Sequence, residues 1–274
     1  MNGDPYLDPH SGVLLNKFGL SDHDALAREE QVRTGLRGIL LKSNPVPGNF
    51  DLEHLKSIHQ YIFQDIYDWA GQVRTISMAK ADLGSVTHFT PPELIKRELD
   101  QVFNTLAEEN FLRALTRAEF ARKAARLLSD INQIHPFRDG NGRTQREFLR
   151  QIAESGRHPL HFEVVSRARM VQASIRSAQN DLGMMERLFD EITDSARIRP
   201  LKDAVEFFEK NGSSWNDRYL ATTTPGQTYS GRFAGNKGEH FMFCDEADRI
   251  LIGNLADIPA DLIKMGNQIE FKAS

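Results

Sequence analysis

The sequence predicts a mainly α protein: a helical domain bearing a short β-hairpin, then a small C-terminal β-barrel. Three observations carry that expectation. Apolar residues recur at helical spacing through most of the first 197 residues. A β-rich stretch at 73–89 interrupts them, alone between helices. From Tyr219 onward, short β-rich runs such as Phe241-Met242-Phe243 and Ile250-Leu251-Ile252 alternate with turn residues. The expected divisions are a helical domain over 1–197, a linker over 198–215 around Asn211-Gly212-Ser213-Ser214, and a barrel domain over 216–274.

Residues 1–19 hold Asp-Pro twice and read as an extended arm. Ser21 or Asp22 caps a first helix running to about Lys42, with Leu26, Val32, Leu36, Ile39 and Leu40 as its expected apolar face. Asn44-Pro45-Val46-Pro47-Gly48 stops it. A second helix follows Asp51, with Leu52, Leu55, Ile58, His59, Ile62 and Ile66 at helical spacing; His59 reads as packed core. Strands are expected at 73–78 and 86–89, turned by Asp82-Leu83-Gly84. The hairpin's unpaired edge is either a plain connection or a place for an extended peptide to add. Pro91-Pro92 opens the next helix, with Leu94, Ile95, Leu99, Val102, Phe103 and Leu106 in period. Thr116 and Glu119 form a capping box. The helix they start has Phe120, Ala124, Leu127, Leu128, Ile131 and Ile134 on one face, which delivers His135 to a fixed place before Pro136 ends it. A further helix runs from Arg143 to about Ser155, and two more lie between Val164 and Ser195.

A length of 274 residues with 40% hydrophobic and 26% charged content fits a soluble globular chain of one large or two smaller domains. The net charge of −4 argues against a surface devoted to nucleic acid. Acids Glu239, Asp245, Glu246, Asp248, Asp257 and Asp261 argue the same for the barrel, so nucleic acid is not an expected partner. Cys244 is the single cysteine; no internal disulfide can form, and its apolar neighbours suggest a small buried side chain. The first twenty residues lack the regions of a secretory signal, and no apolar run reaches the roughly 20 residues that cross a bilayer. A cytoplasmic protein with no membrane partner is expected. His158 and His161 have no Cys or acid cluster beside them and read as packing or solvated residues.

The chemistry concentrates in residues 135–146, His-Pro-Phe-Arg-Asp-Gly-Asn-Gly-Arg-Thr-Gln-Arg. Asp-Gly and Asn-Gly suggest a hairpin turn, but both flanks are helical. A loop between helices lets the N–H groups of Gly140, Asn141 and Gly142 converge at the next helix's positive end, where an anion is favoured. Arg143 and Arg146, one turn apart, add charge for outer phosphates. Asp139 suits that company only with a Mg²⁺ between. His135, titrating near neutrality, is suited to take a proton from a hydroxyl. Together these parts describe Mg²⁺-dependent transfer from a nucleotide to a hydroxyl.

This stretch resembles the full signature of Fic-domain enzymes, H-P-F-x-[DE]-G-N-G-R-x-x-R. Asp4-Pro5-Tyr6, Asn16-Lys17-Phe18-Gly19, residues 58–71 and Asp181-Leu182 are also similar to bacterial cell-filamentation-type Fic proteins. The resemblance covers roughly residues 1–197. It implies a Fic helical domain that transfers AMP from the co-substrate ATP, with Mg²⁺, to a hydroxyl side chain of a target protein. On that resemblance His135 is the general base, Asp139 holds Mg²⁺, Gly140, Asn141 and Gly142 cradle phosphates, and Arg143 and Arg146 meet the β- and γ-phosphates. Phe137 anchors the loop. The hairpin at 74–89 corresponds to the family's flap, which clamps the target segment by strand addition. Lys80 and Ala81 fall where the flap meets the nucleotide, and Gln172 on the adenosine side; Lys80 and Asp82 would select the target by charge. The family's phosphotransferring branch has Lys where this chain has Gly142, so AMP transfer is expected.

Many Fic enzymes are inhibited by a helix of form [ST]-x-x-x-E-[GN], whose Glu pairs with the motif's second arginine. Thr105 to Asn110 fits the letters, but lies inside a core helix between flap and motif and reads as coincidence. The expected inhibitor is a separate small antitoxin. The resemblance is then to two-component Fic toxins and to secreted Fic effectors of Bartonella, in which a small β-barrel also follows the Fic domain. It leaves open export to a host or recipient cell by a type IV secretion system. The barrel itself is expected to be OB-like or KfrB-like. The alternative expectation is a non-catalytic Fic scaffold binding nucleotide or nucleic acid through the barrel; the intact His135, Asp139 and Arg143 favour the enzyme.

Overall fold

The computed structural model describes residues 4–274. They divide into two compact units: the chain up to Leu115 with Leu127–Arg157, and Thr116–Arg126 with His158–Ser274. No helix among the described residues is long and apolar enough to cross a membrane.

The first unit holds α1 (His23–Ser43), α2 (Leu52–Phe63), β1 (Ala79–Asp82), β2 (Ser85–His88), α3 (Pro92–Glu108), the C-terminal part of α4 (Arg117–Ile134) and α5 (Asn141–Gly156). Asp22 caps α1 by accepting from Ala25 N at 2.8 Å, and Asp51 caps α2 by accepting from His54 N at 2.9 Å. The core lies where α2 meets α5, around Leu55, Ile58, Phe63, Phe148, Leu149 and Ile152, all fully buried.

Three expectations change here. The face foreseen for α1 holds only at Leu26: Val32, Leu36, Ile39 and Leu40 are exposed, and the helix docks through Leu26, Thr34 and Leu41. Polar pairs complete that docking, with Arg37 gripping both oxygens of Asp65 at 2.8 Å. Residues 4–19 are folded rather than extended; Leu7 bridges Leu14, and Asp4 accepts from Arg138 Nε at 2.9 Å. The first hairpin strand begins later than foreseen and the second one residue earlier, pairing Ala79 with His88 through Asp82 with Ser85, and 73–78 forms no strand. Leu83 and Gly84, at φ +47 and +75, make the two-residue turn whose twist matches the strands.

The second unit begins with the Thr116 box: Glu119 Oε2 accepts from Thr116 N at 2.9 Å, and Thr116 Oγ1 from Glu119 N at 3.3 Å. It continues through α6 (Arg167–Ala178), α7 (Gly183–Ile192), α8 (Ser195–Lys210) and β3 (Leu220–Thr222), β4 (Thr228–Lys237), β5 (His240–Cys244), β6 (Ile250–Asn254) and β7 (Gln268–Lys272). The stretch foreseen as a linker is helical as far as Lys210, because Ile198, Leu201, Ala204 and Phe208 give α8 a buried face. The five strands form one sheet of order β3-β6-β5-β4-β7, in which only the β3–β6 pair is parallel. β3 and β7 are its terminal strands. Phe241, Phe243 and Phe271 pack at ring separations of 5.1–5.6 Å in its core. Cys244, foreseen as buried, is half-exposed at the strand end, with Sγ 3.1 Å from Asp248 Oδ1.

The outer edge of β3 meets side chains instead of another strand. Arg169 Nη1 donates to Leu220 O at 3.2 Å, Glu191 Oε2 accepts from Thr222 N at 3.2 Å, and Arg187 Nη2 donates to Thr222 O at 2.7 Å. Arg169 and Glu191 also pair with each other at 2.9 Å, both fully buried. Three backbone groups that an edge strand would leave open, Leu220 O and the N–H and C=O of Thr222, are thereby satisfied from α6 and α7.

Candidate active site

α4 ends at Ile134, and the next residue, His135, turns into the left-handed region at φ +51. Its ring stacks on Phe89 with centroids 3.8 Å apart and planes 10° apart. Nδ1 lies 3.3 Å from Asn132 O. A carbonyl can only accept, so the proton sits on Nδ1 and the Nε2 lone pair is free. Burial, reinforced by the nearby Arg74 and Lys80 charges, pushes the imidazole pKa down to about 4. This corrects the expectation that it titrates near neutrality: His135 is a neutral base at physiological pH.

Below the loop, Phe137 is fully buried and stacks on His59 at 3.9 Å. His59 Nδ1 accepts from Gly71 N at 2.8 Å, which places its proton on Nε2, donated to Asp139 O at 3.0 Å. The core reading of His59 holds, with the addition that this core residue fixes the loop backbone. Asn141 closes the loop from the other side, accepting from Phe137 N at 2.9 Å and donating to Phe137 O at 2.8 Å. Its side chain is thus committed to the loop backbone.

Gly140 precedes α5 at φ +78, a conformation that strains any side chain. A Cβ there would also lie 2.3 Å from the Phe63 ring. No side chain caps α5, and no hydrogen bond among the described residues uses the N–H of Asn141, Gly142 or Arg143. Three open donors at a helix's positive end form an anion cradle; the Gly140 N–H foreseen in it is taken by Asp139 Oδ1, and Arg143 N stands in its place.

Asp139 Oδ1 accepts from Gly140 N at 2.5 Å. Desolvation, then the neighbouring Glu30 carboxylate, raises the Asp139 pKa, yet its side chain is 44% exposed and open to a ligand. Arg143 is ion-paired with Glu30 of α1, donates to Thr34 Oγ1 at 3.2 Å, and lies over the Phe63 ring. Tyr67 donates to the other oxygen of Glu30. Arg146 differs: it has no carboxylate partner among the described residues, and its Nη1 sits 3.3 Å from where a Cβ on Gly142 would stand. Its guanidinium is held below its ordinary pKa by desolvation, then by Arg143. Gly142 leaves the room this arginine needs to reach the cradle.

Lys80 and Ala81 lie exposed on β1, and Lys80 Nζ is 3.5 Å from Asp82. Gln172 belongs to α6, in the second unit. The loop residues, Lys80 and Ala81 all belong to the first unit, and Lys80 lies near enough to His135 for its charge to act on the imidazole. His158 stacks on Phe120 at 4.6 Å and His161 pairs with Glu163 at 2.8 Å, so both take the packing or solvated roles expected of them. Sequence reasoning missed Glu30, Tyr67, Arg74 and Phe89. Glu30 precedes Arg143 by 113 residues and carries no local signal; Phe89, ending the hairpin, was the most accessible of the four.

The Fic/DOC family model matches residues 49–153. A protein adenylyltransferase of Bartonella henselae is 34% identical over 98% of this chain and 52% of its own length. A probable protein adenylyltransferase of Sinorhizobium fredii is 36% identical over 65% of this chain and 90% of its own. The chain thus spans about half the length of the first relative. Among solved structures, the type IV secretion system effector protein BepA superposes with a TM-score of 0.88 at 34% identity, covering 98% of this chain and 95% of that one. The BepC protein of Bartonella tribocorum, solved with AMPPNP bound, gives 0.65 at 31% identity over 69% and 96%. With the signature loop, its helical frame and relatives matched over nearly their full length, this chain belongs to the Fic/DOC family.

Proposed function

We propose that this chain is a protein adenylyltransferase, moving AMP from ATP to a hydroxyl side chain of a target protein. The observation that carries the reading is a neutral His135 with a free Nε2 on the loop that leads into the uncapped, arginine-flanked start of α5. The transferase is assigned to residues 1–197, with 216–274 as an appended domain.

His135 Nε2 takes the hydroxyl proton as the target oxygen attacks the α-phosphorus. The bond to the β-phosphate's bridging oxygen breaks, and pyrophosphate leaves. The N–H groups of Asn141, Gly142 and Arg143 hold the phosphate chain, and Arg146 offers its guanidinium to the outer phosphates. Glu30 keeps Arg143 at the cradle's rim. A bound Mg²⁺ would supply charge neutralisation between phosphates. The donor set fits that ion: Asp139 offers one reachable carboxylate, and Mg²⁺ is held by one or two carboxylates together with phosphates and water.

The hairpin of β1 and β2 offers an exposed edge to the target segment by strand addition, with Lys80 and Asp82 selecting by charge. Swapping both to Ala should change which protein is labelled and leave ATP binding intact. Arg146, with no carboxylate partner among the described residues, is also the proposed contact for a glutamate of a separate small antitoxin. Export by a type IV secretion system is proposed by analogy with BepA.

The deciding experiment incubates the chain with α-labelled ATP, Mg²⁺ and bacterial or host lysate, beside His135→Ala. A labelled protein that disappears with the variant supports the assignment; label that persists, or never forms, sinks it.

A further inference from the structure

We infer that Arg74 is a positioning residue, a latch that ties both stems of the hairpin to the backbone of His135 and so fixes the two halves of the site against each other. Its purpose rests on the transferase reading; its geometry does not.

Arg74 is 1% exposed, and no carboxylate pairs with it among the described residues. A guanidinium stripped of water and left without a counter-ion needs other compensation. Four carbonyls provide it. Nε donates to His135 O at 2.8 Å, Nη1 to Ile76 O at 2.5 Å, and Nη2 to Thr90 O at 2.6 Å and Ile134 O at 3.1 Å. Ile134 ends α4 and His135 follows it, where the helix dipole presents negative charge to a cation. Ile76 stands just before β1 and Thr90 just after β2. One planar group therefore touches the helix end and both hairpin stems.

Smaller bonds follow the same line. Arg74 N donates to Pro136 O at 2.9 Å, Thr90 N to Gln133 O at 3.3 Å, and Gln133 Nε2 to His88 O at 2.8 Å. Phe89, between those stems' contacts, is the residue stacked on the imidazole. His135 itself sits at φ +51, a conformation that persists only where its surroundings determine it. Arginine is required by the geometry: its fork directs five N–H groups in fixed directions, whereas lysine brings one compact ammonium.

The test is hydrogen exchange and imidazole titration on the whole chain. In Arg74→Lys, which keeps the charge, amides of residues 76–90 and of 133–135 should exchange at least about tenfold faster, with α2 and the later turns of α5 unchanged. The His135 titration, read by NMR, should move up from about 4 toward its ordinary value as water reaches the ring. Faster exchange spread evenly over the first unit would mean a merely structural arginine and would overturn the inference; so would no change at either place. Should the variant fail to fold, native-state exchange of the unmodified chain decides. The bonded amides of Phe89, Thr90 and His135 should then open in one event with one denaturant dependence, and independent openings would refute the latch. Neither measurement uses nucleotide or target, so a failed labelling experiment and a failed latch remain distinguishable.

Discussion

Gly140→Ala tests how tightly the phosphate cradle is fitted to the core beneath it. The glycine sits at φ +78, and left-handed backbone costs an alanine roughly 1 kcal/mol. The added methyl would lie 2.3 Å from two carbons of the Phe63 ring, well inside contact distance. That ring is fully buried, with His59 at 4.7 Å, Tyr67 at 6.1 Å and the Arg143 guanidinium at 4.6 Å, so it has little room to retreat. Overpacking of this kind costs about 1–3 kcal/mol. The expected total, roughly 2–4 kcal/mol, is a large part of the 5–15 kcal/mol that holds a typical domain. Urea unfolding followed by circular dichroism measures it, with hydrogen exchange of α5 amides assigning the loss to the correct unit. A Phe63→Leu partner separates the two contributions: the pair should couple favourably by about 1–3 kcal/mol, leaving the backbone cost behind. A coupling below roughly 0.5 kcal/mol would refute the claim that the ring, rather than φ alone, demands glycine here.

The pH dependence should follow from buried, neutral histidines. The acid limb of the labelling rate should fall near pH 4, and a midpoint near 6.5 would contradict the described His135 environment. Stability has the same sign: a histidine whose folded pKa lies below its unfolded value contributes fully above pH 6.5 and loses that contribution as pH falls toward 4. For the fully buried His59 the loss is of order 3 kcal/mol, and His59→Gln should flatten the acid side of the stability curve. In the second unit, Glu191→Ala leaves Arg169 buried without its carboxylate and Thr222 N without its acceptor. It should cost about 3–5 kcal/mol in urea unfolding, whereas Arg169→Met with Glu191→Leu should recover much of that. A single-variant cost under roughly 1 kcal/mol would show that the edge of β3 does not depend on the pair.

Much of the site was legible because its chemistry is contiguous. Residues 135–146 put base, acid, glycines and arginines within one loop, and the Thr116–Glu119 box and Pro136 bounded the helix that delivers it. The face of α1 was not legible. Its apolar stripe pointed outward because Thr34, Leu41 and ion-paired Arg37 made the better contact, and periodicity cannot see a partner. The same holds for α8, whose buried face acquires meaning only from what packs on it.

The amino-acid sequence by itself determined the helical class and the contiguous loop that carries the proposed base, glycines and two arginines. Tertiary structure alone decided their states. His135 is neutral because burial and two cations disfavour its charged form. Arg143 is occupied because Glu30 arrives from α1, while Arg146 is left open because no acid among the described residues reaches it. Arg74 reads as an unremarkable strand residue until the fold brings four carbonyls around it. Residue types are local properties, but solvation and charge pairing are set by neighbours that only the folded chain supplies.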